Sequence, residues 1–320
     1  MKNLLFKLSL VFLVILTICG MNYLIGLYNA SADSNNKNLL MDLKIKTEDF
    51  FYNAFNLNSI IASEQSVKNC LLNFDARSNY QKKYSEKYDV SGPLAHNSGL
   101  EFFVDIQKKY PFIELIFLQD LDGRQRARSF GALGIRKDRW WFKRYFDKIY
   151  SPFISKSYYS KTGDIPVVSI FHTIMNDNVP IGVLGMDVNL KRLTQKFYDF
   201  CKYKEKVFFL IDNEGIIIAH PDTSTLSEIY SLKKLQKEGL IKDEKGGTFQ
   251  ELEGYHKTRN FLLNWDKRFI EITEKILSGG SGTYSGVLIE DKRYTVYFDK
   301  IKMPGENSKA AEKIFSGLYC

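Results

Sequence analysis

The fold is decided by Phe112-Ile113-Glu114-Leu115-Ile116-Phe117-Leu118-Gln119-Asp120-Leu121-Asp122-Gly123-Arg124-Gln125-Arg126-Ala127-Arg128-Ser129-Phe130. Residues 112–118 form an apolar run of the residue types that favour strands. The Asp-Leu-Asp-Gly sequence that follows at 120–123 is a turn signal, and residues 124–130 have the character of a returning strand. The stretch therefore predicts an antiparallel hairpin.

The same pattern occurs a second time along the chain. A strand is predicted at 206–212, a turn at 213–215 and a return at 216–220. Each hairpin is followed by a partly helical insertion and then by a further predicted strand pair, at 167–175 with 180–188 and at 282–289 with 293–302. A fold of class α+β is expected, with two antiparallel-sheet modules that carry helices and loops on one face and can enclose a small pocket.

Upstream of the first hairpin, the sequence predicts two helical segments. Residues 33–73 contain no Pro or Gly and place apolar residues at helical spacing, which predicts a long stalk helix. Before it, Lys2 and Lys7 precede an apolar stretch at 8–28, and no charged residue occurs until Asp33. Roughly 20 apolar residues are enough for a helix to cross a bilayer. The positive-inside rule then places residues 1–7 in the cytoplasm and everything after about residue 33 outside.

A signal peptide is the alternative for this N-terminal segment. Ala30-Ser31-Ala32 resembles a signal-peptidase site, and cleavage there would release the protein. The apolar stretch is longer than the core of a usual signal peptide, which favours an uncleaved anchor and a single-pass protein of the cell membrane.

Composition and motifs argue against several function classes. The net charge of +8 comes from dispersed lysines and arginines, and no run of them resembles a nucleic-acid-binding arm. A basic exterior suits anionic lipid or cell-wall polymer equally well. The four cysteines form no CxxC pair, and no serine-hydrolase, zinc-protease or phosphate-loop motif is found. We therefore expect no enzyme activity, no catalytic residues, no metal, no cofactor and no nucleic-acid partner.

A candidate ligand site lies just past the first hairpin. Arg139-Trp140-Trp141-Phe142, then Tyr158 and Ser160, and finally Asp187 combine a cation, aromatic rings and a carboxylate. Arginine pairs with carboxylates, aromatic faces attract cations, and a buried aspartate neutralises an ammonium group. Such a set suits a small zwitterion or amine. The alternative is structural, with the tryptophan pair filling a core and Asp187 capping the helix that begins near Leu190.

These motifs resemble a known family, the double Cache (dCache) sensor domain of bacterial chemoreceptors, sensor kinases and diguanylate cyclases. The resemblance covers nearly the whole exterior part and is closest to the clostridial type. It is carried by the sequences at 119–123, 125–129, 138–142, 153–160 and 182–187 for the first module, and at 211–215, 219–222, 279–283 and 301–305 for the second.

The resemblance implies that a small polar ligand, an amine, amino acid or similar, binds in the membrane-distal module. Arg139 and Trp141 match the arginine and tryptophan of members that bind amino acids, Tyr158 matches their tyrosine, and Asp187 matches their closing aspartate. Ser160 stands near the position of a second aspartate, so the carboxylate set for an ammonium group is half present. Phe142 adds a further aromatic ring beside Trp141.

The resemblance also implies an organisation for the chain. We expect a cytoplasmic tail at 1–7, an anchor at 8–28, a stalk helix at 33–73, a membrane-distal Cache module at 74–190, a connector helix at 191–203, a membrane-proximal Cache module at 204–305 and an atypical, charged, helix-prone tail at 306–320. The expected role is transmembrane signal transduction without an output domain of its own, through a homodimer of the stalk helix or a separate signalling partner. The alternative is a secreted or tethered solute-binding protein that serves a transporter or another partner.

Overall fold

The structure is a computed structural model of the full chain. It describes residues 2–72, 101–131, 133–137, 139, 141–142, 151–155, 157–160, 165–201, 208–212, 217–220, 223, 271–272, 274–276, 278–289, 292–305 and 315–319. The predicted turn at 213–215 and the insertions around 143–150 and 224–270 lie outside this set, as does Trp140. The chain divides into two compact units, Met1–Leu43 and Lys44–Cys320, and the second contains both sheets.

Two helices precede the first sheet. Helix α1 spans Lys2–Ser63 and α2 spans Gln65–Leu72, so the predicted stalk helix is interrupted at Glu64. Within the second unit, α1 buries one face that repeats every three or four residues, at Phe51, Ala54, Asn58 and Ile61. This spacing is the reason that a helix forms here with one side turned to the protein interior.

The first sheet is antiparallel and six-stranded. Its strands are β1 (Ile113–Asp120), β2 (Gln125–Arg128), β3 (Phe153–Ile154), β4 (Tyr158–Ser160), β5 (Ile165–Asn176) and β6 (Val179–Asn189). The order is β2-β1-β6-β5-β3, and β4 also pairs with β5. A short helix, α3 (Glu101–Lys109), precedes β1, and α4 (Leu190–Cys201) follows β6. The predicted first hairpin, its later strand pair and the helix after it are all present.

The two faces of this sheet have different neighbours. On one face, His172 of β5 contacts Asn58 of α1, and a methyl group added at Gly182 of β6 would meet Leu71 of α2. Side chains alternate along a strand, so the neighbouring odd-numbered residues point to the other face. We call that other face the aromatic face, since it carries Phe117 and Phe171.

The second sheet is antiparallel and five-stranded, in the order β8-β7-β11-β10-β9. Its strands are β7 (Phe208–Asp212), β8 (Ile217–Ala219), β9 (Gly282–Ile289), β10 (Lys292–Ile301) and β11 (Phe315–Tyr319). The prediction of a helix-prone tail is wrong for residues 315–319. They form β11, which lies between β7 and β10 and hydrogen-bonds to both. Pairing on both sides satisfies the backbone N–H and C=O groups of this segment.

The expectation of a mixed α+β fold with antiparallel sheets is confirmed. The tandem arrangement of two Cache modules stays a prediction. For the expected anchor at 8–28, the backbone is helical within α1, and the side chains of residues 2–20 are not among those described. Within the described residues, no helix is both long and apolar enough to cross a membrane.

Candidate functional site

A chain of three buried polar side chains lies on the aromatic face. The register pairs Ser169 of β5 with Asp187 of β6, and β4 brings Tyr158 alongside β5. The Ser169 hydroxyl donates to Asp187 Oδ1 over 2.5 Å, and the Tyr158 hydroxyl lies 2.5 Å from the Ser169 oxygen and 3.4 Å from Asp187 Oδ1. Asp187 is only 2 % exposed. A carboxylate in this position is oriented by two hydroxyl groups and removed from water.

The charges around Asp187 are partly balanced. Burial raises its pKa from 3.8 to about 6, while the hydrogen bond from Ser169 and the positive charges of Arg128 and Arg139 act in the opposite direction. Glu114 adds to the rise. For Tyr158, burial and the nearby Asp187 raise the pKa well above its ordinary value. Ionised Asp187 therefore destabilises the folded protein at neutral pH. A cation placed beside the carboxylate would offset this unfavourable free energy.

Arg128 is a buried cation on the same face. It stands opposite Phe117 in the β1–β2 pair and is 4 % exposed. Burial lowers its pKa from 12.5 to about 10, the charge of Arg136 lowers it further, and Asp187 counteracts both. The guanidinium remains protonated at neutral pH, so the site holds a positive group as well as the carboxylate of Asp187.

Aromatic rings form the apolar part of the site. Trp141 stacks on Phe171 with ring centroids 4.7 Å apart and lies 5.4 Å from Phe117. Phe142 meets Trp141 edge to face at 5.8 Å, and Phe153 also stacks on Phe171, with ring centroids 4.9 Å apart. Gly185 makes this packing possible, because an added methyl group there would fall 2.2 Å from the Phe117 ring. The rings exclude water and thereby strengthen the electrostatic interactions of the neighbouring polar groups.

The structure brings most of the predicted site residues together. Trp141 and Phe142 belong to the aromatic cluster, Tyr158 joins Asp187 in the hydrogen-bonded chain, and the charge of Arg139 acts on both of these. Ser160 is buried on β4, on the same side of that strand as Tyr158.

Two structural roles stand as alternatives to ligand binding, a helix cap for Asp187 and core filling for the tryptophan pair. The Asn189 side chain, not Asp187, caps α4, by accepting the Arg192 backbone N–H at 3.1 Å. Trp141 does fill a core, since it is 3 % exposed among buried aromatic rings.

Sequence reasoning missed Ser169, Arg128 and Gln119. Ser169 is one small polar residue in the apolar run of β5, and Gln119 ends the apolar run of β1. Gln119 stands opposite Val183 and Gln125, so it points to the aromatic face. The signal that could have found them is the alternation of side chains along a strand, which places every second residue on the same face. A polar residue that interrupts a buried strand, on the face that carries Asp187, has to serve a purpose other than core packing.

A groove elsewhere on the protein is separate from this site. It has a volume of about 580 Å³ and is lined by apolar residues of α1 and α3 with Glu64, Ser66 and Glu101 at its rim. None of the predicted site residues lines it. Within the described residues, no cluster of three or more His, Cys, Asp or Glu side chains could hold a metal ion.

Comparisons with known proteins bear on residues 91–195 and on the fold. Residues 91–195 match the family model "Methyl-accepting chemotaxis protein-like, first PDC sensor domain". No curated protein matches the sequence significantly. Solved structures share the fold at low sequence identity.

The three structures that follow have TM-scores above 0.5. The extracellular domain of the histidine kinase vpHK1S-Z8 is 15% identical with a TM-score of 0.54, over 90% of this chain and 94% of that one. A domain of a sensory box/GGDEF family protein from Vibrio parahaemolyticus is 16% identical with a TM-score of 0.52, over 89% and 96%. The sensor domain of the V. cholerae histidine kinase DctB is 10% identical with a TM-score of 0.55, over 89% and 95%. The resemblance to the PDC, or Cache, sensor domains of chemoreceptors and histidine kinases is therefore confirmed.

Proposed function

We propose that this protein senses a small polar ligand outside the cytoplasmic membrane and signals across it. The observation that carries the proposal is the buried Asp187 carboxylate, held by Ser169 and Tyr158 beside a wall of aromatic rings. A buried charge is stabilising only when it is paired, and Asp187 is ionised at neutral pH at a cost. A ligand ammonium group would supply the missing charge.

The remaining polar groups define the ligand class. Arg139 and Arg128 both act electrostatically on Asp187, so the site offers positive and negative groups within interaction range. The rings of Trp141, Phe171 and Phe117 offer an apolar surface for the hydrocarbon part of a ligand. This combination favours an amine, an amino acid or a similar small polar molecule. The match of residues 91–195 is to sensor domains, a class that is generally non-enzymatic.

Signal transfer is proposed to run through β5 to α1. Ser169 and Phe171 of β5 face the site, whereas Ile170 and His172 of the same strand contact Asn58 of α1. A ligand that shifts the packing on one face therefore biases the helix on the other. The helix leads to the expected anchor at 8–28, which would place the sensor outside a single-pass membrane protein, with a homodimer or a separate partner receiving the signal.

A thermal-shift screen tests the proposal. The full chain in detergent micelles is screened against amino acids, amines, carboxylates and purines. We expect stabilising hits among amines or amino acids, and we expect Asp187→Asn to abolish them. Asp299→Asn is the matched control, because Asp299 lies on β10 of the second sheet, where it pairs with Lys44 of α1. Hits that survive Asp187→Asn, or hits confined to other compound classes, would disprove the assignment.

A further inference from the structure

Gln119 is a buried amide whose polar atoms make no hydrogen bond to the described residues. Its side chain is 0 % exposed, and neither Nε2 nor Oε1 has a hydrogen-bond partner in the part of the chain that the structure describes. A buried amide without partners destabilises the folded state, and a methionine of similar shape would not. A residue that carries this penalty on the aromatic face points to a partner that the described residues do not supply.

The neighbours of Gln119 are also polar. Gln125 stands directly opposite it in the β1–β2 pair, and Gln125 Oε1 accepts a hydrogen bond from Arg128 Nη1 at 3.3 Å. All three residues are at most 5 % exposed. Gln119 and Gln125 lie at the end of the face away from Asp187, and Arg128, which stands opposite Phe117, lies next to them towards the middle of the face.

The register sets the spacing of the two polar ends. Gln119 is opposite Val183 and Asp187 is opposite Leu115, so the two positions are four residues apart along β6. That is roughly 13 Å at about 3.3 Å per residue, measured along the backbone. Phe117 and Phe171 occupy the space between, over Gly185. The face is therefore polar at both ends and apolar in the middle.

The chemistry of the Gln119 end is specific. An amide can donate through Nε2 and accept through Oε1, and the Arg128 guanidinium donates and carries positive charge. A ligand carbonyl group, in a carboxamide or a carboxylate, satisfies these donors, whereas an alkyl end leaves them unpaired. An ammonium group is disfavoured there by Arg128.

We infer that Gln119, with Gln125 and Arg128, forms a second polar subsite of the candidate site on the aromatic face, which takes the carboxamide or carboxylate end of an elongated ligand whose ammonium group lies at Asp187. This inference rests on the proposed function, since it adds a second end to the same ligand. The aromatic rings contact the alkyl part between the two ends.

The test uses matched series of simple probes. Titration calorimetry on the full chain in detergent micelles compares ω-amino acids from 4-aminobutanoate to 8-aminooctanoate, the corresponding ω-amino amides, and n-alkylamines of the same chain lengths. We expect at least one acid or amide to bind the wild type about tenfold or more tightly than its alkylamine. We expect Gln119→Met to remove this advantage.

The stability of the ligand-free protein gives an independent readout. Gln119→Met should raise the Tm by roughly 2 °C, because it removes two unsatisfied polar atoms. Gln125→Met is the matched control and should lower the Tm, because it removes the acceptor for buried Arg128.

Each other outcome has a defined meaning. Acids and amides that bind no more tightly than alkylamines, or an advantage that survives Gln119→Met, would overturn the subsite and leave the proposed function standing. A lower Tm for Gln119→Met with unchanged discrimination would assign Gln119 a structural role and likewise overturn the subsite. If no probe binds the wild type, the amine-binding function fails and the subsite fails with it.

Discussion

At the scale of single residues, the site depends on a carboxylate that is held where ionisation is unfavourable. Asp187 is buried, its pKa is raised to about 6, and Ser169 and Tyr158 hold it from one side. Gly185, two residues earlier, leaves room for the Phe117 ring. These features make the site sensitive both to pH and to very small changes in side-chain volume.

The pH dependence of stability tests the state of Asp187. Its pKa is raised on folding from 3.8 to about 6, so the folded protein binds the proton more tightly and is favoured below pH 4. This contribution is lost as the pH rises through 6, and it amounts to roughly 2–3 kcal/mol. Asp187→Asn lacks it. Urea unfolding at pH 4, 5, 6 and 7 should show the variant gaining relative to the wild type as pH rises, and a pH-independent difference would contradict the raised pKa.

A methyl group added at Gly185 should damage the aromatic face. Gly185→Ala forces the Phe117 ring to move, since the new carbon would lie 2.2 Å from it. Overpacking of this kind destabilises by roughly 1–3 kcal/mol. Gly134→Ala is the control, because there the methyl group meets only the flexible Arg136 side chain. Equal urea midpoints for the two variants would refute the packing described around Phe117.

At the scale of elements, β5 connects the site to the helix. Asn58 of α1 donates to the Ile170 carbonyl at 2.8 Å, and its Oδ1 lies 3.1 Å from His172 Nδ1. Burial lowers the pKa of His172 to about 4, which keeps the imidazole neutral at this junction. The two residues that flank Ile170, Ser169 and Phe171, belong to the candidate site. One strand thus contributes side chains to the aromatic face and also contacts α1.

Removing the Asn58 side chain should loosen α1 from the sheet. Asn58→Ala leaves the Ile170 carbonyl and the His172 ring without their partner and costs roughly 1–3 kcal/mol. Faster amide hydrogen exchange is expected in residues 50–62, with smaller changes in β9 and β10. Asn53→Ala, at an exposed position of the same helix, is the control. Unchanged exchange in 50–62 would show that this junction does not hold the helix.

The elements could be predicted from the sequence more completely than the site. The first hairpin is marked by the Asp-Leu-Asp-Gly turn, and the strands β5, β6, β9 and β10 lie within a few residues of the expected positions. Ser169 and Gln119 were missed because their role depends on which residue stands opposite, and local patterns do not give the register. β11 was missed because a charged, helix-favouring sequence precedes it and its partners β7 and β10 are distant in sequence.

At the scale of the whole molecule, we propose a sensor domain outside the membrane that is attached through an anchor at 8–28. An uncleaved anchor at 8–28 gives a membrane-bound protein, whereas cleavage after Ala32 gives a released one. We expect the expressed chain to stay in the membrane fraction after alkaline carbonate washing and to retain its N-terminus. Val14→Arg combined with Leu16→Arg should weaken this retention, because charge in the apolar segment is costly in the bilayer. A soluble product that begins at Asp33 would instead establish cleavage and release.

The central claim is that the ligand binds on the aromatic face of the first sheet. Hydrogen–deuterium exchange of the full chain, with and without the best compound from the screen, tests it most directly. We expect ligand-dependent protection in β4, β5 and β6, around Tyr158, Ser169 and Asp187, with little change in β9 and β10. Protection confined to the second sheet, or to the groove beside α3, would contradict it.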